Sequence, residues 1–238
     1  MQGQTFLSQI KGGLIVSCYS HHDYNVPFAS REPMLALAES VEKGGAAAIR
    51  VNLKHVRYLK ERLRIPIYGI EKIYQDDQMR ITPTLKEVEA LVTAEADAIA
   101  IDATKRERFD DLTLEEYIHK IKRNFDIALL GDISTFEEGV KAADYGIDAV
   151  STTLSGYTPY SPTFGKLGDI PPAEPDYQLI RYLKAAISIP VIAEGRISTP
   201  EQAQQALATG AHAVVVGTAI SNPQKITELF VHLMGSAN

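Results

Sequence analysis

The sequence has little that would suit a secreted, membrane-spanning or nucleic-acid-binding protein. Its single cysteine, Cys18, excludes an internal disulfide and fits a reducing compartment. No basic segment followed by a long apolar one opens the chain, and no run reaches the roughly 18 apolar residues that span a bilayer. A net charge of −6 disfavours nucleic acid and anionic membranes as main partners. These absences favour a cytoplasmic protein and leave small molecules, including anionic ones, as candidate ligands.

The sequence does contain a regular alternation of apolar, strand-like runs and helical patterns. Its 45% hydrophobic content is ordinary for a globular protein, and 238 residues allow a substantial core. The predicted strands lie at 13–18, 47–52, 66–72, 98–104, 127–133, 149–154, 190–194 and 213–219. The predicted helices lie at 32–42, 54–63, from 84, at 113–123, 135–145 and 176–186, from 199 and from 222.

Strict alternation of strands and helices implies a parallel sheet with right-handed crossovers. Eight such units in this length predict a single (β/α)8 TIM barrel that forms one domain over residues 1–238. Residues 73–83 are polar and could form a hairpin, and 155–175 is too long for a plain connection. The alternative is an open doubly wound sheet, but no glycine-rich GxGxxG turn follows the first strand.

Charged residues occur where most of the predicted strands end, which is where barrel enzymes carry their chemistry. Their neighbours are apolar, so alternation along each strand turns the charged side chains toward the barrel mouth. An ion-pair network that only closes the barrel is the structural alternative. The strand-end residues are Cys18, Arg50, Lys72, Asp102, Asp132, Thr152, Thr153, Glu194 and Gly217.

Lys72 and Glu194 are the most informative pair. They end the third and seventh predicted strands, which face each other across an eight-stranded barrel. Inverting a stereocentre requires a proton to leave one face of a carbon and return to the other, and two opposed proton-transfer groups suit that geometry. A plain salt bridge and an imine-forming lysine are the alternatives.

The loops after the seventh and eighth strands suit a phosphate group. Barrels commonly bind phosphate there, and Gly195 and Gly217 allow backbone N–H groups to approach an anion. Arg196 can add charge-assisted hydrogen bonds. The sequence offers no convincing metal-ligand set, because the adjacent His21 and His22 do not make one by themselves.

Seven motifs, in this order along the chain, resemble those of the N-acetylmannosamine-6-phosphate 2-epimerases. The resemblance covers the chain from about residue 12 to the last helix, and its most specific stretch is 151–160. The motifs are GLIVSC at 13–18, GGAAAIR at 44–50, ITPT at 81–84, IDATKR at 101–106, DIST at 132–135, STTLSGYTPY at 151–160 and AEGR at 193–196.

The resemblance implies a TIM-barrel isomerase of sialic acid catabolism that interconverts N-acetylmannosamine 6-phosphate and N-acetylglucosamine 6-phosphate without a metal or other cofactor. It implies that Lys72 and Glu194 are catalytic and that Arg50 and Asp132 contact the substrate. Thr153 and Tyr157 are added as substrate-binding residues. The implied phosphate loops are Gly195-Arg196 and Gly217-Thr218, and a homodimer is possible.

Three residues depart from the family's usual pattern. Tyr19 stands where glutamine is usual, Ile73 replaces a basic residue, and Asn222 replaces an arginine. The sequence therefore leaves the exact substrate open, and it does not decide whether Lys72 or Glu194 removes the proton. A related phosphosugar isomerase or aldolase, and a phosphosugar-binding homologue without activity, remain the alternatives.

Overall fold

The computed structural model describes residues 2–18, 26–75, 78–162 and 174–235. Several sequence predictions concern residues outside these ranges. They are the substitution at Tyr19, the adjacent histidines at 21 and 22, the polar residues at 76 and 77, and most of the 155–175 loop.

Eight parallel strands form a closed barrel, which confirms the predicted (β/α)8 architecture. Their order around the barrel is β1-β10-β9-β8-β7-β6-β3-β2, and a separate antiparallel hairpin is formed by β4 and β5. The strands are β1 (Leu14–Ser17), β2 (Ala48–Asn52), β3 (Ile67–Ile70), β4 (Lys72–Gln75), β5 (Gln78–Ile81), β6 (Ala98–Asp102), β7 (Ala128–Asp132), β8 (Ala149–Ser151), β9 (Val191–Glu194) and β10 (Ala213–Val216).

Every barrel strand is followed by at least one α-helix before the next barrel strand or the end of the described chain. No helix in the described part of the chain is both long and apolar enough to cross a membrane. The helices are α1 (Gln2–Ile10), α2 (Arg31–Lys43), α3 (Leu53–Lys60), α4 (Leu85–Thr93), α5 (Leu114–Asn124), α6 (Phe136–Asp144), α7 (Tyr177–Ala186), α8 (Pro200–Thr209), α9 (Thr218–Ser221) and α10 (Pro223–Gly235).

The predicted third strand, 66–72, is too long. Strand β3 ends at Ile70, and Lys72 instead begins β4 of the hairpin, opposite Ile81. The hairpin takes the chain away from the barrel sheet because Glu71 bonds Thr82, with the Glu71 N–H donating to the Thr82 hydroxyl at 3.1 Å. The suggestion that 73–83 forms a hairpin is confirmed in β4 and β5.

Three further predicted strands continue past their real ends. The strand predicted at 98–104 stops at Asp102, because Thr104 turns back and donates its N–H and hydroxyl to the Asp102 carboxylate. The strand predicted at 149–154 stops at Ser151, and a single 3₁₀ turn, Thr152–Leu154, follows. The last predicted strand, 213–219, gives way to the short helix α9 after Val216.

The strands bury side chains on both faces, in alternation. On β2, Ile49 and Val51 pack outward in the layer between strands and helices, whereas Ala48 packs inside the barrel. On β9, Ile192 likewise faces inward, and its neighbours Val191 and Ala193 face outward. The predicted alternation is therefore confirmed, and it places Arg50 and Glu194 on the inward face of their strands.

The amino-terminal helix α1 was not predicted. Phe6 and Ile10 are fully buried among the inward-facing residues of the barrel, so this helix covers the amino ends of the strands. The ring of His212, which precedes β10, lies 2.7 Å from the Leu7 carbonyl and fixes the helix there. The signal in the sequence was the four-residue spacing of Phe6 and Ile10, which places both on one helix face.

The loops after the strands turn into helices through matched caps. Thr84 and Glu87 form the predicted capping box at the start of α4, where the Thr84 N–H donates to Glu87 Oε2 at 3.0 Å. The same device starts α5, α6 and α8. These caps satisfy helix N–H groups close to the barrel mouth and so fix the direction of each connection.

Candidate active site

Arg50 is the centre of a buried ion-pair network at the carboxyl end of the barrel. Its Nη2 lies 2.5 Å from Asp132 Oδ2 and its Nη1 lies 3.2 Å from Asp132 Oδ1, so the pair is bidentate. Nη1 also donates to Glu194 Oε2. Arg50 and Asp132 are at most 1% exposed. One guanidinium from β2 thus holds two carboxylates, from β7 and β9, on the same side of the barrel mouth.

The Thr153 hydroxyl lies between the same two carboxylates. Its Oγ1 is 2.7 Å from Asp132 Oδ1 and 2.9 Å from Glu194 Oε2. A hydroxyl has one proton, so it can donate to only one of the two at a time. The structure therefore brings Thr153 together with Arg50, Asp132 and Glu194, as one hydrogen-bonded cluster.

Lys72 stands two residues after the end of β3, at the first position of the hairpin strand β4. Strand β3 lies four strands away from β9 in the barrel order, so the predicted opposition of these two strands is confirmed, whereas the catalytic pairing of Lys72 with Glu194 stays a prediction. The pKa of Lys72 is lowered to about 8, first by burial and then by the positive charge of Arg50, while Glu194 and Asp132 oppose the shift. A lysine with this pKa can hold or release a proton near neutral pH.

Burial and charge also shift the pKa values of Asp132 and Arg50. The pKa of Asp132 is raised to about 6 by burial and by the charge of Glu194, against the opposing charge of Arg50. Burial acts to lower the pKa of Arg50, but the Asp132 and Glu194 carboxylates outweigh it and raise that pKa. Arg50 therefore stays a fixed positive charge, whereas Asp132 binds a proton more readily than an ordinary aspartate.

The two predicted phosphate loops follow β9 and β10. Gly195 has φ +107° and Arg196 has φ +59°, so two successive left-handed residues turn the chain sharply after Glu194. Gly217 precedes Thr218, the first residue of α9. Both loops lie at the carboxyl ends of adjacent barrel strands, as predicted.

The Arg196 side chain lies against the loop that follows β8. Its guanidinium donates to the backbone carbonyls of Ser155, at 2.5 Å, and Glu174, at 2.9 Å. The ring of Tyr157, which is 43% exposed, lies 5.9 Å from the Arg196 Cζ. Arg196 thus ties the 155–174 connection to the β9 loop, and its binding to phosphate stays a prediction.

Two of the departures from the family pattern have clear structural positions. Asn222 is buried and its Oδ1 accepts the Lys225 N–H at 3.1 Å, so it caps the start of α10. Ile73 is half-buried on β4, opposite Arg80. An apolar side chain and a helix cap therefore stand where the family usually has charged residues.

Cys18 is a buried thiol that packs in the layer outside the strands. Burial raises its pKa to about 12, which agrees with the interpretation of Cys18 as a small apolar residue. Among the described residues, no group of three or more His, Cys, Asp and Glu side chains could hold a metal ion.

Ser151 and Tyr68 of the site were missed as functional candidates, and Thr152 was named only as a strand end. Ser151 Oγ lies 2.9 Å from Thr153 Oγ1. Thr152 Oγ1 donates to the Glu194 carbonyl at 2.8 Å and accepts the Glu194 N–H at 3.0 Å, which fixes the backbone of Glu194. Tyr68 lies with its ring centroid 5.0 Å from Arg50 Cζ. Tyr68 lay within a predicted strand, but its neighbours in the sequence, Ile67 and Gly69, give no sign of its contact with Arg50.

Comparison with known proteins gives the family. Residues 34–236 match the family model described as "Putative N-acetylmannosamine-6-phosphate epimerase". A curated relative of that kind from Caldanaerobacter subterraneus is 44% identical over 94% of this chain and 92% of its own. A relative from Clostridium perfringens is 42% identical over 96% of this chain and 99% of its own.

Solved structures agree with this result. The N-acetylmannosamine-6-phosphate 2-epimerase from Clostridium perfringens is 41% identical, matches 95% of both chains and superposes with a TM-score of 0.86. A thiamine phosphate pyrophosphorylase from Pyrococcus furiosus shares the fold alone, at 16% identity and a TM-score of 0.59. The sequence matches, the structural match and the clustered Arg50, Asp132 and Glu194 lead to one conclusion: this chain belongs to the N-acetylmannosamine-6-phosphate 2-epimerase family.

Proposed function

We propose that the protein is an isomerase that inverts C2 of an N-acylhexosamine 6-phosphate and interconverts N-acetylmannosamine 6-phosphate and N-acetylglucosamine 6-phosphate, as in sialic acid catabolism. The observation that carries the proposal is that Lys72 closely follows β3 and Glu194 ends β9, two strands that lie opposite each other in the barrel. Family membership supports the substrate, and the two opposed proton-transfer groups support the reaction.

The chemistry is a pair of proton transfers at one carbon. In the ring-opened sugar, the C1 aldehyde makes the C2 hydrogen acidic. One of Lys72 and Glu194 takes that proton, the electron pair moves into an enolate, and the other residue donates a proton to the opposite face of C2. No electrons leave the substrate, so proton transfer alone accounts for the inversion.

The charge that develops on the enolate oxygen needs a fixed positive group. Arg50 supplies it, because two carboxylates and burial hold its guanidinium in one place. Asp132, held by the same guanidinium, orients a substrate hydroxyl or assists ring opening. Thr153 and Tyr157 complete the proposed substrate contacts from the β8 connection.

The phosphate group is proposed to bind the backbone of Gly195-Arg196 and Gly217-Thr218. Two observations support this position: the left-handed turn after Glu194 and the adjacency of β9 and β10. Glycine at 195 and 217 lets an anion approach backbone N–H groups without meeting a side chain.

The test is proton NMR of both 6-phosphates in deuterated buffer. The wild type should exchange the C2 hydrogen and interconvert the two sugars, whereas Lys72→Ala and Glu194→Ala should each lose deuterium incorporation at C2. Lys105→Met, at a lysine that follows β6 and stacks on Tyr160, is the matched control and should keep the wild-type rate.

Retention of the wild-type exchange rate by either alanine variant would contradict these roles. Binding of the phosphosugars by the wild type without exchange would identify a non-catalytic homologue. A Lys72 adduct trapped by borohydride would instead favour an imine-forming aldolase.

We also propose that the protein is a cytoplasmic homodimer that does not bind nucleic acid. Phosphosugars are retained inside cells, and the net charge of −6 disfavours nucleic acid.

Helix α10 carries Phe230, Val231, Leu233 and Met234, which are 50–72% exposed, and a second copy would cover them. Light scattering of the purified protein measures its mass in solution and tests the dimer. That residues 1–238 act as one domain stays a prediction.

A further inference from the structure

Tyr68 is a large, fully buried side chain inside the barrel, directly beside the site. It lies on β3 in register with Arg50 of β2 and packs among the inward-facing residues. Its other register partner is Ala98 of β6. A tyrosine here is unusual, because branched apolar side chains commonly fill such barrels.

The Tyr68 ring contacts the guanidinium that organises the site. Arg50 Cζ lies over the ring, 5.0 Å from its centroid. A cation over an aromatic face is attracted by the ring's quadrupole, and more strongly when water is excluded. Tyr68 also contacts Phe6 of α1, with ring centroids 5.9 Å apart and planes tilted by 54°. The ring therefore contacts both Phe6, at the apolar end of the barrel interior, and the Arg50 guanidinium.

The surrounding strands leave room for this pair of large side chains. Four inward-facing positions on β6, β7 and β8 carry alanine, although Leu130 of β7 also faces inward. These alanines are Ala98, Ala100, Ala128 and Ala149. Their small volume compensates for the tyrosine and the arginine, since barrel interiors are close-packed.

The Tyr68 hydroxyl does not explain why the residue is a tyrosine. In the described part of the chain it is buried and has no hydrogen-bond partner. A buried hydroxyl without a partner costs free energy, so the contribution of the residue lies in its ring. Burial raises the pKa of Tyr68 well above its usual value, so the ring stays neutral.

We propose that Tyr68 is a positioning residue for Arg50: the face of its ring holds the guanidinium in the orientation that binds Asp132 and Glu194 together. The inference rests on the proposed C2 epimerisation, because Arg50 acts there on the enolate. Two carboxylates fix the guanidinium within its own plane, and the ring restrains it from the side.

The first test compares three variants by steady-state kinetics on N-acetylmannosamine 6-phosphate. Tyr68→Phe keeps the ring and should stay within about twofold of wild-type kcat/KM. Tyr68→Leu removes the ring and should lower kcat/KM about tenfold, mainly through kcat, as expected for a desolvated cation–π contact. Phe6→Leu is the matched control, because it disturbs the same core without a ring contact to Arg50, and should keep wild-type kinetics.

The pH profile separates positioning from a general loss of stability. Arg50 opposes the rise in the pKa of Asp132. A loosened Arg50 opposes it less, so the acid limb of kcat/KM should move to higher pH in Tyr68→Leu but not in Phe6→Leu. Equal losses in Tyr68→Phe and Tyr68→Leu would assign the role to the hydroxyl and overturn the proposal, and so would wild-type kinetics in Tyr68→Leu.

Two measurements keep the proposal testable if Tyr68→Leu does not fold or if the proposed activity is absent. Pentafluorophenylalanine at position 68 preserves the shape but reverses the ring quadrupole, so kcat/KM should fall relative to Tyr68→Phe; an unchanged value would contradict the proposal. In NMR of arginine-labelled protein, the Arg50 side-chain signals should carry a ring-current shift in Tyr68→Phe that Tyr68→Leu or Tyr68→Met abolishes. This shift does not depend on activity, so absence of exchange in the wild type would refute the epimerase proposal alone.

Discussion

The two ends of the barrel interior are lined by inward-facing residues of the same strands, yet the amino end is apolar and the carboxyl end is charged. At the amino end, Phe6 and Ile10 of α1 pack against inward-facing aliphatic residues such as Ile15. At the carboxyl end, Arg50 and Asp132 are as deeply buried but charged. The charges at the carboxyl end are paired with one another, and the amino end is filled by apolar side chains.

The energetics of the two ends differ for a physical reason. Apolar burial at the amino end is favourable for each side chain separately. At the carboxyl end, each charge is costly to bury and is compensated only by its partners. The amino end should therefore respond to mutation additively, whereas the carboxyl end should respond as a unit.

The largest expected effect comes from removing the shared cation. Arg50→Met leaves Asp132 and Glu194 close together without a positive charge between them, as their contacts to Thr153 Oγ1 at 2.7 and 2.9 Å show. We expect C2 exchange to fall below detection. The free energy of unfolding in urea at pH 7.5 should fall by about 4 kcal/mol.

The double variant Arg50→Met with Asp132→Asn is the matched comparison. It removes one of the two like charges, so it should recover part of the lost stability but none of the activity. If the two substitutions were simply additive in the free energy of unfolding, the interpretation of this end as one coupled unit would be wrong.

A smaller effect, on stability alone, is expected at the amino end. Ile10→Ala removes buried methylene and methyl groups from the interior and should lower the free energy of unfolding by about 3 kcal/mol. Its kcat/KM should match that of the wild type, because Ile10 packs among the apolar residues at the amino end of the barrel interior. A loss of kcat/KM larger than about threefold at a temperature where the variant is folded would show that the two ends are coupled.

How far the sequence predicts this contrast depends on which interactions are local. Alternation of apolar residues along single strands was enough to predict the barrel and the inward orientation of Arg50, Asp132 and Glu194. The helix cap at Thr84 was predicted from an equally local pattern, the three-residue spacing of Thr84 and Glu87. These predictions succeeded because the physical cause lies within a few residues of chain.

The errors arose where distant residues decide the structure. Strand β8 stops early because the Thr152 side chain takes over the pairing with Glu194, which lies 42 residues further on. Helix α1 covers the amino ends of the strands, and the local Phe6–Ile10 spacing does not show what these residues pack against. The contact of Tyr68 with Arg50 likewise depends on strand register, so single-sequence reasoning could not place it.

The smallest predicted effect is the pH dependence of stability that Lys72 introduces. Its pKa is about 8 in the folded protein against the ordinary 10.5. Between these values the unfolded chain binds a proton at this lysine and the folded protein does not, so stability rises with pH. Relative to Lys72→Met, the free energy of unfolding of the wild type should therefore increase between pH 8 and pH 9.5, by at most about 2 kcal/mol.

Urea titrations at several pH values on both proteins measure this difference directly, and Lys86→Met, at an exposed lysine of α4, controls for the loss of a positive charge. The decisive result is the sign of the change in the free energy of unfolding with pH, relative to Lys72→Met. Since burial and Arg50 disfavour the ammonium form of Lys72, lowering the pH toward 8 must cost the wild type stability that Lys72→Met retains. A flat difference would mean that Lys72 keeps its ordinary proton affinity in the folded state, and an inverted one that folding raises its pKa; in both cases the carboxyl end would lack the poised base that separates it from the apolar end.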